Sequence, residues 1–108
     1  MADDDDVVIA AVTAAELLVG VELADGARRR RRQVLVESIL RTIPVEAYDL
    51  DVARVHALLL AHTRRAGEPR GAHDLLIAAT ALARGRVVVT TDPKDFDRLP
   101  GLGVRSAT

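Results

Sequence analysis

Four acidic side chains stand where elements of the chain begin or end, at spacings that could bring them together. They are Glu16, Asp74, Asp92 and Asp95. In a parallel α/β sheet, the carboxyl ends of strands and the amino ends of the following helices meet at one edge, where such folds bind ligands. Carboxylates gathered there repel one another unless a cation lies between them, and Mg²⁺ prefers oxygen ligands. The chemistry that this arrangement permits is metal-assisted hydrolysis of a phosphodiester by activated water.

Each acid also has a simpler explanation. Glu16 could be the partner of Thr13 in a capping box, since Thr13-Ala14-Ala15-Glu16 has the required spacing. Asp74 and Asp92 could each be the N-cap of a helix. Asp95 could be a solvated acid that the helix dipole favours in a first turn. Only the convergence of all four favours a functional site.

The elements that must position these acids alternate between strands and helices. Apolar and β-branched runs predict strands at Val7–Val12, Val45–Tyr48, Val87–Thr91 and Gly103–Arg105. Helical periodicity and capping residues predict helices over Thr13–Ala24, Arg28–Thr42 and Asp74–Arg84. Another predicted helix begins at Asp49 or Asp51 and ends before the loop Ala66–Gly71. A short helical turn is predicted over Asp92–Leu99. This order predicts an α/β fold with a mostly parallel sheet.

Length and composition narrow the class of protein. The chain has 108 residues, of which 49% are hydrophobic and 29% charged, and its formal net charge is −1. These values predict a single domain over residues 1–108 and give no overall attraction to an anion. There is no cysteine, which excludes disulfide scaffolds and thiolate metal sites. The acidic start and the absence of a long apolar run predict a cytoplasmic protein without a membrane span.

Three segments together resemble a known family. Residues Thr13–Glu22 (TAAELLVGVE) are similar to the second acidic motif of PIN-domain ribonucleases, and most similar to that of the VapC toxins of type II toxin–antitoxin pairs. Gly71–Ala81 (GAHDLLIAATA) resembles their third acidic motif. Val88–Phe96 (VVTTDPKDF) resembles their last one, and Leu99-Pro100-Gly101-Leu102 their usual ending.

The resemblance implies a fold, an activity and partners. The fold would be a PIN-like three-layer α/β/α arrangement. The activity would be endoribonuclease cleavage of cellular RNA such as tRNA or rRNA, dependent on Mg²⁺ or Mn²⁺. The catalytic and metal-binding acids of the family correspond to Glu16, Asp74, Asp92 and Asp95. The partners would be RNA, a VapB-type antitoxin and a second copy of the chain in a homodimer.

The chain departs from the family pattern at its start. The family begins with a central strand that ends in an Asp-Thr-Asn-like motif, and no such strand precedes Val7. Asp3–Asp6 come before the Val7–Val12 strand, which at ~3.3 Å per residue puts them roughly 20 Å from its Glu16 end. We therefore expect an N-terminally truncated PIN-like domain that lacks the first strand and helix.

Basic residues offer contacts for an RNA backbone. Arg70, Arg84, Arg86 and Lys94 are expected near the acidic edge, and Arg70, Arg86 and Lys94 are the candidate RNA-binding residues. The run Arg28–Arg32 is either a solvated start of a helix or a patch that contacts phosphates. Five adjacent charges wrap more than one helical turn, so they cannot all face one ligand.

Two other functions remain open at this point. The chain could be a catalytically incompetent PIN-like module that sequesters an antitoxin or dimerises. It could also be a signalling domain that accepts a phosphoryl group, because such domains also bind Mg²⁺ at strand ends. Against the latter, the only lysine is Lys94, and no lysine follows a late strand as such a domain requires.

Overall fold

The computed structural model describes residues 7–107, and it divides into two compact units, Met1–Ala47 and Tyr48–Thr108. Each unit contains its own two-stranded sheet. The acidic residues Asp3–Asp6 lie outside the described residues.

The N-terminal unit contains two strands and the two helices between them. These are β1 (Ile9–Ala10), α1 (Ala11–Glu22), α2 (Gly26–Thr42) and β2 (Val45–Glu46). The strands pair in parallel, with Ile9 opposite Val45, and the Ile9 N–H also donates to the Pro44 carbonyl over 3.1 Å. α1 packs against α2, and Ala14, Val21 and Val36 supply buried side chains at this contact.

The first helix begins earlier than the sequence predicts. α1 starts at Ala11 and its N-cap is Ala10, which makes no side-chain capping bond. The capping-box explanation for Thr13 and Glu16 is therefore wrong, because Thr13 already lies inside the first turn. The reason is that β2 offers only two residues for pairing, so the chain leaves the strand after Ala10. Glu16 consequently lies in the second turn of α1.

The C-terminal unit carries three of the four predicted acids. Its elements are α3 (Leu50–Ala66), α4 (Ala72–Ala83), β3 (Val88–Thr90), a 3₁₀ helix (Pro93–Phe96) and β4 (Val104–Ser106). β3 and β4 pair in parallel, with Val88 opposite Val104. α4 packs against α3, β3 and the 3₁₀ helix, so it is the central element of this unit.

One apolar core stabilises the C-terminal unit. Its buried members come from every element except β4: Val52, Leu59, Leu75, Ala78, Ala79, Val88, Phe96 and Leu99. Val52 and Ala78 are fully buried, and Leu59 is 1% exposed. The prediction that the Asp74–Arg84 helix is largely covered is confirmed, since the side chains of α4 from Leu75 onward are all at least half-buried.

Caps set the ends of the long helices in this unit. Asp49, one of the two predicted caps, accepts a hydrogen bond at Oδ1 from the Val52 N–H (3.1 Å) before α3. Gly67 and Gly85, with φ of 66° each, follow the C-termini of α3 and α4. A positive φ is unfavourable for residues with a Cβ, so glycine suits both positions.

The element order and the parallel pairing confirm the predicted α/β fold. The strands are shorter than predicted, because each has a single partner over two or three residues. None of the helices within residues 7–107 is long and apolar enough to cross a membrane.

Candidate active site

Asp74 lies in the first turn of α4, three residues after the N-cap Gly71. The alternative that Asp74 is itself the cap is therefore wrong. Its side chain is half-buried, and its Oδ2 would be 3.2 Å from a β-carbon built on Gly71. The carboxylate thus folds back over the glycine. A negative charge at this position interacts favourably with the partial positive charge of the helix N-terminus.

Asp92 and Asp95 follow β3 and flank the start of the 3₁₀ helix. The Asp92 N–H donates to Thr90 Oγ1 over 3.0 Å, and the Asp95 N–H donates to the Asp92 carbonyl over 3.1 Å. Asp92 occupies the N-cap position, but its carboxylate makes no capping hydrogen bond. Both side chains are exposed, and neither carboxylate forms an ion pair with another residue between 7 and 107. Both are therefore available to an external cation.

Glu16 belongs to the other unit. It is exposed on α1, one turn after Val12, and it is not free, because it has a polar partner within the chain.

The four candidate ligands are all carboxylates, which are the side-chain ligands that magnesium and manganese prefer. In the described part of the chain, no group of three or more His, Asp or Glu side chains is placed to hold a metal ion. Mg²⁺ keeps several waters and binds proteins through one or two carboxylates together with substrate phosphates, so a three-ligand cage is not required. Asp92 and Asp95 offer exposed carboxylates that form no ion pair among residues 7–107, which are donors of that kind.

The basic residues predicted near the acids differ in what they contact. Arg70 Nη2 donates to Asp97 Oδ1 over 2.8 Å, and Arg84 Nη2 donates to Asp49 Oδ2 over 2.6 Å. Arg86 is half-buried, and Lys94 is exposed. Arg86 has a partner within the chain, and Lys94 forms no ion pair with any residue between 7 and 107.

The arginine run at the start of α2 is split, as expected from the helical repeat. Arg29 pairs with Glu22 at 2.9 Å, and Arg32 Nη1 donates to the Gly20 carbonyl over 3.2 Å. Arg28, Arg30 and Arg31 are exposed. The run therefore serves in part to join α2 to α1.

Two ionisable groups in the C-terminal unit have shifted pKa values. The hydrogen bond from Arg84 lowers the pKa of Asp49, and the Val52 N–H adds to the effect. The hydrogen bond to Glu68 raises the pKa of Arg98. Both shifts result from ion pairs that join separate segments of this unit.

The features that sequence reasoning missed are the close approach of Asp74 to Gly71 and the pairing of Arg70 with Asp97. A glycine three residues before an acid, in Gly71-Ala72-His73-Asp74, is the one local signal for the first. The second joins residues 27 apart in the chain and has no local signal.

Comparison with known proteins identifies the family. A model of the PIN domain matches residues 1–102. The tRNA(fMet)-specific endonuclease VapC of Salmonella typhimurium is 33% identical over 96 residues, which are 89% of this chain and 71% of that protein. Ribonuclease VapC5 of Mycobacterium tuberculosis is 40% identical over 100 residues, which cover 90% of this chain and 71% of that protein.

A solved structure agrees with these relatives. The DNA-bound VapBC complex of Salmonella typhimurium contains a chain with a TM-score of 0.83 and 32% identity, covering 90% of this chain and 72% of that one. The acids described above lie within the residues that match the family model. The chain therefore belongs to the PIN-domain family, in its VapC group of toxin–antitoxin proteins.

Proposed function

We propose that the chain is a metal-dependent endoribonuclease toxin whose acids Glu16, Asp74, Asp92 and Asp95 hold Mg²⁺ or Mn²⁺. The observation that carries the proposal is the packing of α4 against the 3₁₀ helix. This contact brings together the element that bears Asp74 and the turn that bears Asp92 and Asp95. The proposal treats residues 1–108 as one PIN domain, in line with a family match over residues 1–102.

Each acid has a role that its position supports. Asp92 and Asp95 would bind the cation directly, since their carboxylates are exposed and unpaired. Asp74 would bind from the first turn of α4, where a negative charge interacts favourably with the helix dipole. Glu16 would complete the set, as its match to the second acidic motif implies. When bound, the divalent cation supplies activation of water and stabilisation of the leaving oxygen.

The positive charges have a separate task. Lys94 stands between Asp92 and Asp95 in the chain and is exposed, so its ammonium can contact a phosphate of the RNA. Arg86 remains a candidate for a similar contact. Arg70 was predicted to contact RNA as well, but its guanidinium is held by Asp97, and we infer a different role for it below.

The names of the relatives support a proposal for the substrate and the partners. We propose a structured cellular RNA, with tRNA first, because the Salmonella relative is a tRNA(fMet)-specific endonuclease. We also propose a VapB-type antitoxin as partner, because the matching Salmonella structure is a VapBC complex. A homodimer and a cytoplasmic site of action complete the proposal.

RNA cleavage tests the function. The purified chain is incubated with total tRNA or rRNA in Mn²⁺, in Mg²⁺ and in EDTA, next to Asp74→Asn and to Asp51→Asn as a matched control. Asp51 is an exposed acid that also lies in the first turn of its helix, α3, but outside the site. We expect specific fragments with either metal, none in EDTA, and a loss of cleavage in Asp74→Asn alone.

The same assay distinguishes the proposed endoribonuclease from a catalytically incompetent binding module. A chain that cleaves no RNA with either metal, yet binds a small protein partner tightly, would be the catalytically incompetent binding module. Cleavage that persists in EDTA would instead show that the acids do not act by holding a divalent cation.

A further inference from the structure

A half-buried arginine joins the segments on either side of the candidate site. Arg70 Nη2 donates to the Asp97 carbonyl oxygen over 2.9 Å and to Asp97 Oδ1 over 2.8 Å. We call this pair of contacts the Arg70 clamp. One of its two hydrogen bonds goes to the main chain, so it holds the backbone at Asp97 and not only the side chain.

Burial distinguishes the clamp from an ordinary surface ion pair. The Arg70 side chain is 15% exposed, whereas that of Arg98 in the neighbouring pair with Glu68 is 72% exposed. Arg70 Nε is buried and makes no hydrogen bond to any described residue. A charge so covered is held in one place by its partners, because leaving it unpaired costs far more than at an exposed site.

The chain positions of the two ends connect the clamp to the acids. Arg70 directly precedes Gly71, the N-cap of α4, and stands four residues before Asp74. Asp97 directly follows the 3₁₀ helix, two residues after Asp95. The clamp thus ties the start of the helix that carries Asp74 to the end of the turn that carries Asp92 and Asp95.

We propose that Arg70 is a positioning residue, which fixes the separation of Asp74 from Asp92 and Asp95 and so sets the affinity for the divalent cation. The inference rests on the proposed function, since it assigns Arg70 a task for the same site. It also departs from the prediction that Arg70 contacts RNA. Arg70 Nη2 could bind a phosphate only by giving up its hydrogen bonds of 2.8 and 2.9 Å to Asp97, and Nη1 already donates to the Pro69 carbonyl over 3.3 Å.

A second link between the same segments supplies a control, and its Glu68 Oε2 also lies 3.9 Å from Arg70 Nη2. Arg98 Nη1 pairs with Glu68 Oε2 at 3.0 Å, and the Arg98 carbonyl lies 3.2 Å from His62 Nε2. The Arg98 side chain also joins the loop before α4 to the segment after the 3₁₀ helix, but it is exposed. Exposed pairs contribute little to structure. Arg98→Gln should therefore leave the acids where they are.

The experiment measures Mn²⁺ affinity without RNA, by calorimetry on the folded chain, for the wild type, Arg70→Gln, Arg70→Lys and Arg98→Gln. We expect Arg70→Gln to raise the Kd for Mn²⁺ about tenfold or more, as for other residues that orient metal ligands. Arg70→Lys should recover part of the loss, since an ammonium can donate to both Asp97 oxygens. Arg98→Gln should change the Kd less than twofold.

Three outcomes would overturn the inference. One is a lower melting temperature in Arg70→Gln with an unchanged Kd for Mn²⁺, which would make Arg70 merely structural. Another is an unchanged Kd for Mn²⁺ with weaker, less salt-dependent binding of RNA, which would make it an RNA contact. The third is an equal rise in Kd for Arg98→Gln. If Arg70→Gln fails to fold, Asp97→Ala replaces it, since this variant removes the carboxylate but keeps the carbonyl.

Failure of the inference is distinguishable from failure of the proposed function. If Asp92→Asn abolishes Mn²⁺ binding and Arg70→Gln does not weaken it, the site stands and the clamp does not position it. If the wild type itself binds no Mn²⁺, the proposed function fails, and the inference fails with it.

Discussion

The carboxylate of Asp74 lies over the α-carbon of Gly71, so close that a β-carbon on residue 71 would be 3.2 Å from Asp74 Oδ2. This distance is tighter than ordinary van der Waals contact, and an added methyl group would displace the carboxylate by a few tenths of an ångström. The backbone of Gly71, at φ −59° and ψ 144°, is open to any residue. The glycine is therefore needed for the space above it and not for its conformation.

Gly71→Ala should lower RNA cleavage while the chain stays folded. A displacement of the Asp74 carboxylate acts on geometry, and since misplacement by ~1 Å can cost about a hundredfold, a smaller shift should cost about tenfold in rate. Gly20→Ala is the control, because a β-carbon there would lie 3.7 Å from Arg32 Nη1, an ordinary contact. Equal rates for Gly71→Ala and wild type would show that the carboxylate has room to adjust.

The ion pair of Asp49 with Arg84 should make stability depend on pH. Since the pKa of Asp49 is lowered below its ordinary value of 3.8 in the folded state, the carboxylate contributes stability above that value. The contribution is lost as the pH falls through the folded-state pKa. Urea unfolding of wild type and Asp49→Asn should differ at neutral pH and converge in acid. A pH-independent difference between wild type and Asp49→Asn would contradict the role of the Asp49 charge.

Leu59 should be the most costly side chain of α3 to truncate. It is 1% exposed, in the core of the C-terminal unit, so Leu59→Ala removes buried surface and leaves a cavity. We expect a loss of about 2–5 kcal/mol in the free energy of unfolding. Its neighbour Leu58 is 71% exposed, and Leu58→Ala should stay within about 0.5 kcal/mol of the wild type. Similar losses for both would place the core elsewhere.

Local patterns predicted the elements well because their signals lie within a few residues. Asp49 is a cap candidate because it stands at the start of a predicted helix, and the structure confirms the cap. The start of α1 was misplaced because the length of β1 depends on β2, some 35 residues further along the chain. Threonine is a residue type that commonly caps helices, but α1 begins where β1 ends, and the pairing with β2 decides where β1 ends.

The acids of the candidate site can be predicted from the sequence, but the contacts that hold their segments in place cannot. Asp74, Asp92 and Asp95 follow from the element order and from motifs in the chain. The Arg70 clamp cannot be predicted in this way, because an arginine in a loop could equally bind a phosphate or form a structural ion pair. Only the contacts in space show that Asp97 occupies it.

The dependence of RNA cleavage on Mn²⁺ concentration tests the central claim most directly. Initial rates on tRNA are measured for wild type and Asp92→Asn over a range of free Mn²⁺, with Asp51→Asn alongside. If Asp92 holds the cation, Asp92→Asn should need at least about ten times more Mn²⁺ for half its maximal rate, or lose activity altogether. The same Mn²⁺ dependence in wild type and Asp92→Asn would contradict the assignment of the acids as the metal site.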